Sequence, residues 1–227
     1  MAAGSATNTL SEMDVRMLTV GPVAENTFIA RLDGSDRAVV FDPGDEAERI
    51  LAAVDEMGVT VEAILLTHTH FDHVGAVAPV ARASGAPVYV PEIERPVLAD
   101  IMRFVPFPGI GPYESYEADH TLRGGEQLQF AGLDIDVLFT PGHSPGHVTY
   151  SIPAEGAAFS GDVLFRGSVG RTDLPGGDWN TLLASIGSLV ESLPEETTIY
   201  PGHMDITTLG AERRTNPFLA ELAAGGS

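Results

Sequence analysis

A chain of 227 residues is long enough to bury a sizeable core, and its formal net charge of -20 argues against nucleic acid or an anionic membrane as partner, because phosphate binding depends on clustered cations. Cysteine is absent and all twelve basic residues are arginine, so disulfides, thiolate ligands and a cysteine nucleophile are excluded, and only guanidinium is left to meet a substrate carboxylate. No apolar run approaches the roughly 18 residues of a membrane span, and residues 1–14 carry neither basic charge nor an apolar segment, so a soluble, cytoplasmic protein is expected.

Residues 1–12, rich in Ala, Ser, Thr and Gly, are expected to be a disordered leader to a single domain over 13–227. Strands are predicted at 16–20 and 27–32, joined by a Gly-Pro turn, and at 38–41 after Asp33-Gly34-Ser35. Ala47, Ile50, Leu51 and Val54 have the i, i+3, i+4, i+7 spacing of an amphipathic helix over 46–57, stopped by Gly58. A strand at 63–66, a helix at 74–83, a strand at 88–90 and a helix at 92–104 then alternate as in an α/β layer. Residues 105–118 are Pro-rich, Gly-rich and aromatic, the composition of a binding loop or lid. A hairpin follows at 127–130 and 133–139 around Ala131-Gly132, then strands at 148–152 and 157–160. A helix at 178–193 has Asp178 as N-cap and Pro194 beyond its end. A strand at 198–200 and a helical tail at 211–224, broken at Asn216-Pro217, complete the chain.

The chemistry concentrates after the strand at 63–66, in Thr67-His68-Thr69-His70-Phe71-Asp72-His73. Imidazole and carboxylate together suit zinc, iron or manganese, and His68, His70, Asp72 and His73 are more donors than one tetrahedral ion needs from a single loop. Three later segments share a design: Pro141-Gly142-His143, Ser160-Gly161-Asp162 and Pro201-Gly202-His203 each place one ligand-type residue beside glycine at a strand exit, where glycine allows a sharp turn or close approach. A lone histidine would more often be a core or surface residue, but seven such positions in this arrangement point to metal. His147, four residues past His143, reads as a structural group or one that orients a ligand, and His120 beside Asp119 as a solvated turn residue. Asp42 is either a strand-end turn residue or a partner that orients a ligand.

The order His-X-His-X-Asp-His, Gly-His, Gly-Asp, Gly-His resembles the metallo-β-lactamase fold superfamily from about Val15 onward. Within it the chain looks like the single-domain bacterial glyoxalase-II-like hydrolases. The supporting segments are Asn26-Thr27, Phe41-Asp42-Pro43-Gly44, the run from Thr140 to His147, Gly161-Asp162-Val163-Leu164-Phe165, the run from Gly170 to Gly177, and Asn216-Pro217. The resemblance implies a four-layer αββα sandwich of two mixed sheets with helices on the outer faces. It implies two divalent ions, zinc first with iron or manganese also suited: one held by His68, His70 and His143, the other by Asp72, His73 and His203. Asp162 would bridge them, and a bridging hydroxide would be the nucleophile, with Asp72 and Asp162 as the catalytic carboxylates. It also implies that Asp42 orients a ligand.

The implied reaction is hydrolysis of an acyl thioester such as S-lactoylglutathione, with a small acyl-thiol as partner. A thiolate is a good leaving group, so little general-acid help is needed. The larger glyoxalase II proteins add a C-terminal helical domain whose basic residues hold glutathione; this chain, without lysine, is expected to lack one. Arg171, Arg213 and Arg214 are the replacements weighed, with surface ion pairs the simpler reading for the last two, and Phe107, Tyr113 and Tyr116 are expected as an apolar substrate wall. The alternative is a mononuclear iron oxygenase resembling persulfide dioxygenase, using His68, His143 and Asp162. Gly146-His147 and Asp173-Leu174-Pro175 look more like the hydrolases. Lactone, β-lactam and phosphodiester hydrolysis also occur in the superfamily. The absence of a secretion signal weighs against the β-lactamase reading and the acidity against the nuclease reading. The sequence sets no oligomeric state.

Overall fold

The computed structural model describes residues 12–105 and 107–220. The leader, except Glu12, and the end of the predicted tail helix lie outside those residues. Two mixed six-stranded sheets pack face to face. The first comprises β1 (Met13–Val20), β2 (Glu25–Leu32), β3 (Arg37–Phe41), β4 (Thr60–Leu65), β5 (Val88–Pro91) and β6 (His120–Leu122), in that spatial order. Its first three strands form an antiparallel meander and the rest run parallel, with helices in the crossovers. These are α1 (Ala47–Met57), α2 (Phe71–Val74), α3 (Val77–Ser84), α4 (Arg95–Leu98) and α5 (Ile101–Phe104). The second sheet takes β7 (Gln127–Phe130), β8 (Leu133–Phe139), β9 (Val148–Ile152) and β10 (Ala157–Gly161). A small hairpin, β11 (Leu164–Phe165) and β12 (Ser168–Val169), and α6 (Trp179–Ser192) lead to β13 (Thr198–Pro201), β14 (Thr207–Thr208) and α7 (Leu209–Thr215). In this sheet β13 pairs in parallel with β10, while the other pairings are antiparallel.

The layers follow from side-chain alternation. On β2, β3 and β4 the residues Phe28, Val39, Phe41, Ala63 and Leu65 turn inward to meet Ile135, Val137, Tyr150 and Phe159 of the second sheet. Their neighbours Ile29, Val40 and Ile64 turn outward against Ile50, Val54, Val77 and Val80 of α1 and α3. On the far side Ala158 and Ile199 face outward onto Leu182, Ile186 and Leu189 of α6. The inner layer is pinned by Phe41 stacked on Phe159 at 3.9 Å between centroids, with Phe28 edge-on to Phe159 at 5.4 Å. Each such aromatic pair adds about 0.5–1.5 kcal/mol beyond burial.

Three expectations change. The helix predicted over 92–104 is two short turns, α4 and α5, separated by Asp100 in a non-helical conformation. Residues 92–94 turn instead so that the Glu94 carboxylate points inward, where it accepts hydrogen bonds from the Ser144 hydroxyl and the Gly146 amide. The helix predicted from residue 74 starts earlier, because α2 forms inside the histidine-rich loop before α3 begins. His120 is exposed, as expected, but lies on β6 rather than in a turn and stacks on Tyr89 at 4.5 Å. Asp178 caps α6, accepting from the Thr181 amide at 2.8 Å. No helix among the described residues is long and apolar enough to cross a membrane.

Candidate metal centre and active-site cavity

The ligand-type residues gather at one edge of the sandwich. His68 and His70 lie in extended backbone after β4, and α2 then turns Asp72 and His73 to another side, so one short segment serves two groups. His143 follows β8, Asp162 follows β10 and His203 follows β13. The glycines beside them are required by close approach. A Cβ on Gly202 would strike the Asp162 carboxylate and the His73 ring, and one on Gly161, at φ +46, would strike the Thr67 hydroxyl and His147.

Two triads form. His68 Nε2 lies 3.1 Å from His70 Nδ1, which lies 2.8 Å from His143 Nε2. In the second, His203 Nε2 and His73 Nε2 lie 3.3 and 3.9 Å from Asp72 Oδ2. Asp162 stands between them: one oxygen is 3.4 Å from His143 Nε2 and 3.5 Å from His203 Nε2, and the other is 3.3 Å from His73 Nε2. Donor atoms at tetrahedral corners around an ion roughly 2.1 Å away would be about 3.4 Å apart. His73 Nε2 and Asp162 Oδ1 are moreover buried without a hydrogen-bond partner, and a buried polar atom left unpaired is costly unless something else engages it. The donor set therefore fits divalent ions: each triad would take one, with Asp162 in reach of both.

Four of the imidazoles are oriented from behind. His143 Nδ1 donates to the Arg171 carbonyl at 2.8 Å, and His203 Nδ1 to the Ala24 carbonyl at 3.2 Å. Asp42, held at φ 45, accepts from the Thr67 amide at 2.7 Å, the Thr67 hydroxyl at 2.6 Å and His73 Nδ1 at 3.1 Å. With its proton given to Asp42, the Thr67 oxygen accepts from His68 Nδ1 at 3.1 Å. Asp42 thus directs the inward nitrogens of His68 and His73, one through Thr67 and one directly. Asp42 falls within ligating reach of these histidines as well, but its oxygens are already engaged. His147 lies beneath the cluster: its Nε2 accepts from the Asp162 amide at 3.1 Å and its Nδ1 meets the Thr140 hydroxyl at 3.1 Å.

The electrostatics differ between the triads. Burial, reinforced by the neighbouring imidazoles, holds His68 well below its ordinary pKa, and burial with the charge of His143 brings His70 to about 4. Burial also keeps His147 neutral. For His73 and His203 burial acts in the same direction but is overcome, chiefly by Asp162 and Asp72, so both are raised. Burial likewise opposes ionisation of Asp162 and Asp72, yet His73 and the other imidazoles carry both below the usual carboxylate range. A field that holds protons on His73 and His203 also attracts metal cations.

Above the cluster opens a cavity of about 550 Å³, walled by Ile93, Val97, Phe104, Phe107 and Leu174 among others and floored by His70, Asp72, His143, Asp162 and His203. Phe107 and Arg171 line it as expected. Tyr113 and Tyr116 do not, which corrects their placement on the substrate wall. Tyr113 packs behind Phe71, with ring centroids 6.1 Å apart, and its hydroxyl turns towards Asp45. Tyr116 lies on the helix face and turns its hydroxyl to Asp119. Their segment folds back over α3 to α5, so only its beginning reaches the cavity. Arg171 is engaged as well, in a two-pronged ion pair with Asp173 at 2.6 and 2.7 Å. Arg213 and Arg214 pair with Glu195 at 3.0 and 3.6 Å.

Sequence reasoning missed Glu94. It is 4% exposed and ties the two ligand loops together, accepting from Ser144 and Gly146 on one side and from the Thr69 hydroxyl at 2.8 Å on the other. Its only signal was a carboxylate placed where a helix was expected. The carbonyls of Arg171 and Ala24 carried no side-chain signal at all.

A double sheet carrying a His/Asp cluster at its strand exits, beneath an open cavity, is the architecture of a metallohydrolase. The chain belongs to the metallo-beta-lactamase superfamily, whose sequence profile matches residues 20–203. It is 41% identical over 212 residues to the probable metallo-hydrolase YqgX of Bacillus subtilis, covering 91% of this chain and 98% of that protein. It is 34% identical over 213 residues to the hydroxyacylglutathione hydrolase GloC of Haemophilus influenzae, again covering 91% and 98%. Among solved structures it resembles the BLEG-1 B3 metallo-beta-lactamase, with TM-score 0.86, 41% identity and coverage of 91% and 99%. It also resembles TTHA1623 in a di-iron-bound form, with TM-score 0.74, 43% identity and coverage of 90% and 100%.

Proposed function

We propose that the protein is a binuclear metallohydrolase that cleaves acyl thioesters, with His68, His70 and His143 holding one divalent ion, Asp72, His73 and His203 the other, and Asp162 both. The observation that carries the reading is the convergence of both triads on Asp162 at the floor of an open cavity. Zinc suits the donors, and iron suits them too, as the di-iron form of a relative illustrates. When bound, the two ions supply a water made acidic enough to attack near neutral pH and positive charge for the oxygen of the scissile carbonyl.

The protein's own residues set the geometry. Asp42, Thr67 and the carbonyls of Arg171 and Ala24 fix the ring orientations of His68, His73, His143 and His203, so that the opposite nitrogen of each ring faces the cluster. His147 holds the backbone of Asp162. Water adds its oxygen to the acyl carbon, the carbon–sulfur bond breaks, and the products are a carboxylic acid and a thiol. Thr69 and Ser144, the hydroxyls on the cavity wall, both donate to Glu94 and are not placed to protonate a leaving group; a thiolate needs no such help. The similarity to GloC supports thioesters as the substrate class, and the likeness to BLEG-1 makes β-lactams the second class to assay. A one-iron oxygenase built on His68, His143 and Asp162 would leave the Asp72, His73 and His203 triad without a role. The test is metal counting on the purified protein together with hydrolysis of S-lactoylglutathione and other acyl thiols. Two ions and turnover of at least one thioester are expected; metal-loaded protein inert towards all of them refutes the reading.

A further inference from the structure

The cavity wall carries information about the substrate beyond the reacting carbonyl. Away from the metal-type cluster its surface is hydrocarbon: Val23, Ile93, Val97, Phe104, Phe107 and Leu174. Several of these are exposed to an unusual degree for large apolar side chains, Ile93 at 54% and Phe104 at 47%. An apolar patch of this kind beside a reactive centre marks a binding surface rather than a gap in packing.

The polar groups on the wall are already engaged with the protein. Thr69 and Ser144 donate to buried Glu94, and the Arg171 guanidinium is clamped by Asp173. Arg103, for which the described residues provide no carboxylate partner, lies over the Phe104 ring at 5.8 Å and is not part of the wall. A carboxylate or phosphate on the thiol carrier would therefore lose water without gaining a free cation, and would do so inside a chain of net charge -20. An alkyl chain would instead cover hydrocarbon that water now wets.

We propose that the cavity selects thioesters of an apolar acyl chain on an uncharged thiol and discriminates against carriers bearing carboxylates, glutathione included. The proposal rests on the thioesterase reading for its reaction, but its recognition element is the wall alone. Atoms balance as in any thioester hydrolysis: water is consumed, and a free acid and the uncharged thiol are released.

Two measurements test it. The first is kcat/KM of metal-loaded protein on N-acetylcysteamine thioesters with acetyl, butyryl, hexanoyl and octanoyl chains, and on S-lactoylglutathione. Rates should climb by up to about fourfold for each methylene buried, with hexanoyl-N-acetylcysteamine exceeding S-lactoylglutathione by more than tenfold. A flat series, or S-lactoylglutathione as the best substrate, overturns the proposal. The second is calorimetric binding of unreactive thioethers: S-hexyl-N-acetylcysteamine should bind more tightly than both its S-methyl homologue and S-hexylglutathione. If this order holds while no thioester is hydrolysed, the reaction assigned above falls and the wall's selectivity stands. If the order fails, the selectivity falls whatever the turnover. The variant I93R places a cation at the mouth and should shift the binding preference towards S-hexylglutathione, whereas I93S should reduce the hexyl-to-methyl ratio.

Discussion

The two triads share imidazole donors but differ in composition and in the physics that sets their charge. His68, His70 and His143 form an all-imidazole set, deeply placed, in which burial drives His68 and His70 to their neutral form before any cation is considered. The second set mixes carboxylate with imidazole and is more open, with the His203 side chain 21% and the Asp72 side chain 14% exposed, and its charges hold protons on His73 and His203. In the first set His68 and His70 stand ready as neutral donors that need no deprotonation. The second binds a cation in exchange for protons, so its affinity should depend more steeply on pH. Asp162 joins them, and substitutions there and on either side separate their contributions.

The largest effect is expected from D162A, which removes the group shared by both sets. Metal content should fall below one ion per chain and thioester hydrolysis by about a thousandfold or more; retention of two ions would break the picture of a shared carboxylate. Next, D72A damages the second set and spares the first. Metal analysis should then approach one ion, with hydrolysis mostly lost, whereas an enzyme working through a single iron at His68, His143 and Asp162 would keep both its metal and its activity.

D42A should have an intermediate effect on both sets, because Asp42 reaches His73 directly and His68 through Thr67. Metal affinity should weaken roughly 10- to 100-fold, measured by competition with a chromophoric chelator. Weakening confined to one ion would show that the Thr67 link carries nothing.

The H147N variant probes the support beneath the cluster. His147 has a folded pKa below its ordinary value of 6.5, so the unfolded chain takes up this proton first and the folded state loses stability as pH falls below about 6.5, with no contribution above it. In chelator-treated protein, urea unfolding should show the stability advantage of wild type over H147N shrinking as pH is lowered from 7 towards 5. An advantage independent of pH would mean that His147 takes up its proton as readily in the folded state as in the unfolded one. The smallest effect is expected from R171A: its guanidinium is bound to Asp173 while its carbonyl, which holds His143, survives the substitution. KM should change less than about threefold, and a large rise would place a substrate carboxylate on this arginine after all.

Much of this arrangement was legible because it is written locally. Strand, glycine and ligand succeed one another within a few residues at His143, Asp162 and His203, whereas the face of β2 to β4 that turns inward is hidden in the sequence, because adjacent residues such as Val39-Val40 and Ile64-Leu65 are apolar on both faces. The misses were cases where distant contacts overrode local pattern. The apolar periodicity of Val97, Leu98, Ile101 and Phe104 reads as one helix, but the Glu94 carboxylate, pulled inward by Ser144 and Gly146, and the non-helical Asp100 break it. β6 is too short for alternation to show and exists because its backbone pairs with β5. Tyr113 and Tyr116 have the composition of a lid, but where aromatic side chains point depends on the surface beneath them.

The sequence by itself determined which atoms are available to a metal, that they emerge at strand ends, and that thiol chemistry by the protein is impossible. These are properties of residue identity and short-range spacing, and no folding is needed to read them. Only the tertiary structure decided which nitrogen of each ring faces inward, and that the cavity wall is hydrocarbon with its polar groups already paired. Those outcomes depend on backbone carbonyls and carboxylates tens of residues or more away in the chain, such as Arg171 behind His143, Ala24 behind His203 and Asp42 behind Thr67 and His73. Hydrogen bonds of that kind are set by packing two sheets together, and no local pattern encodes them.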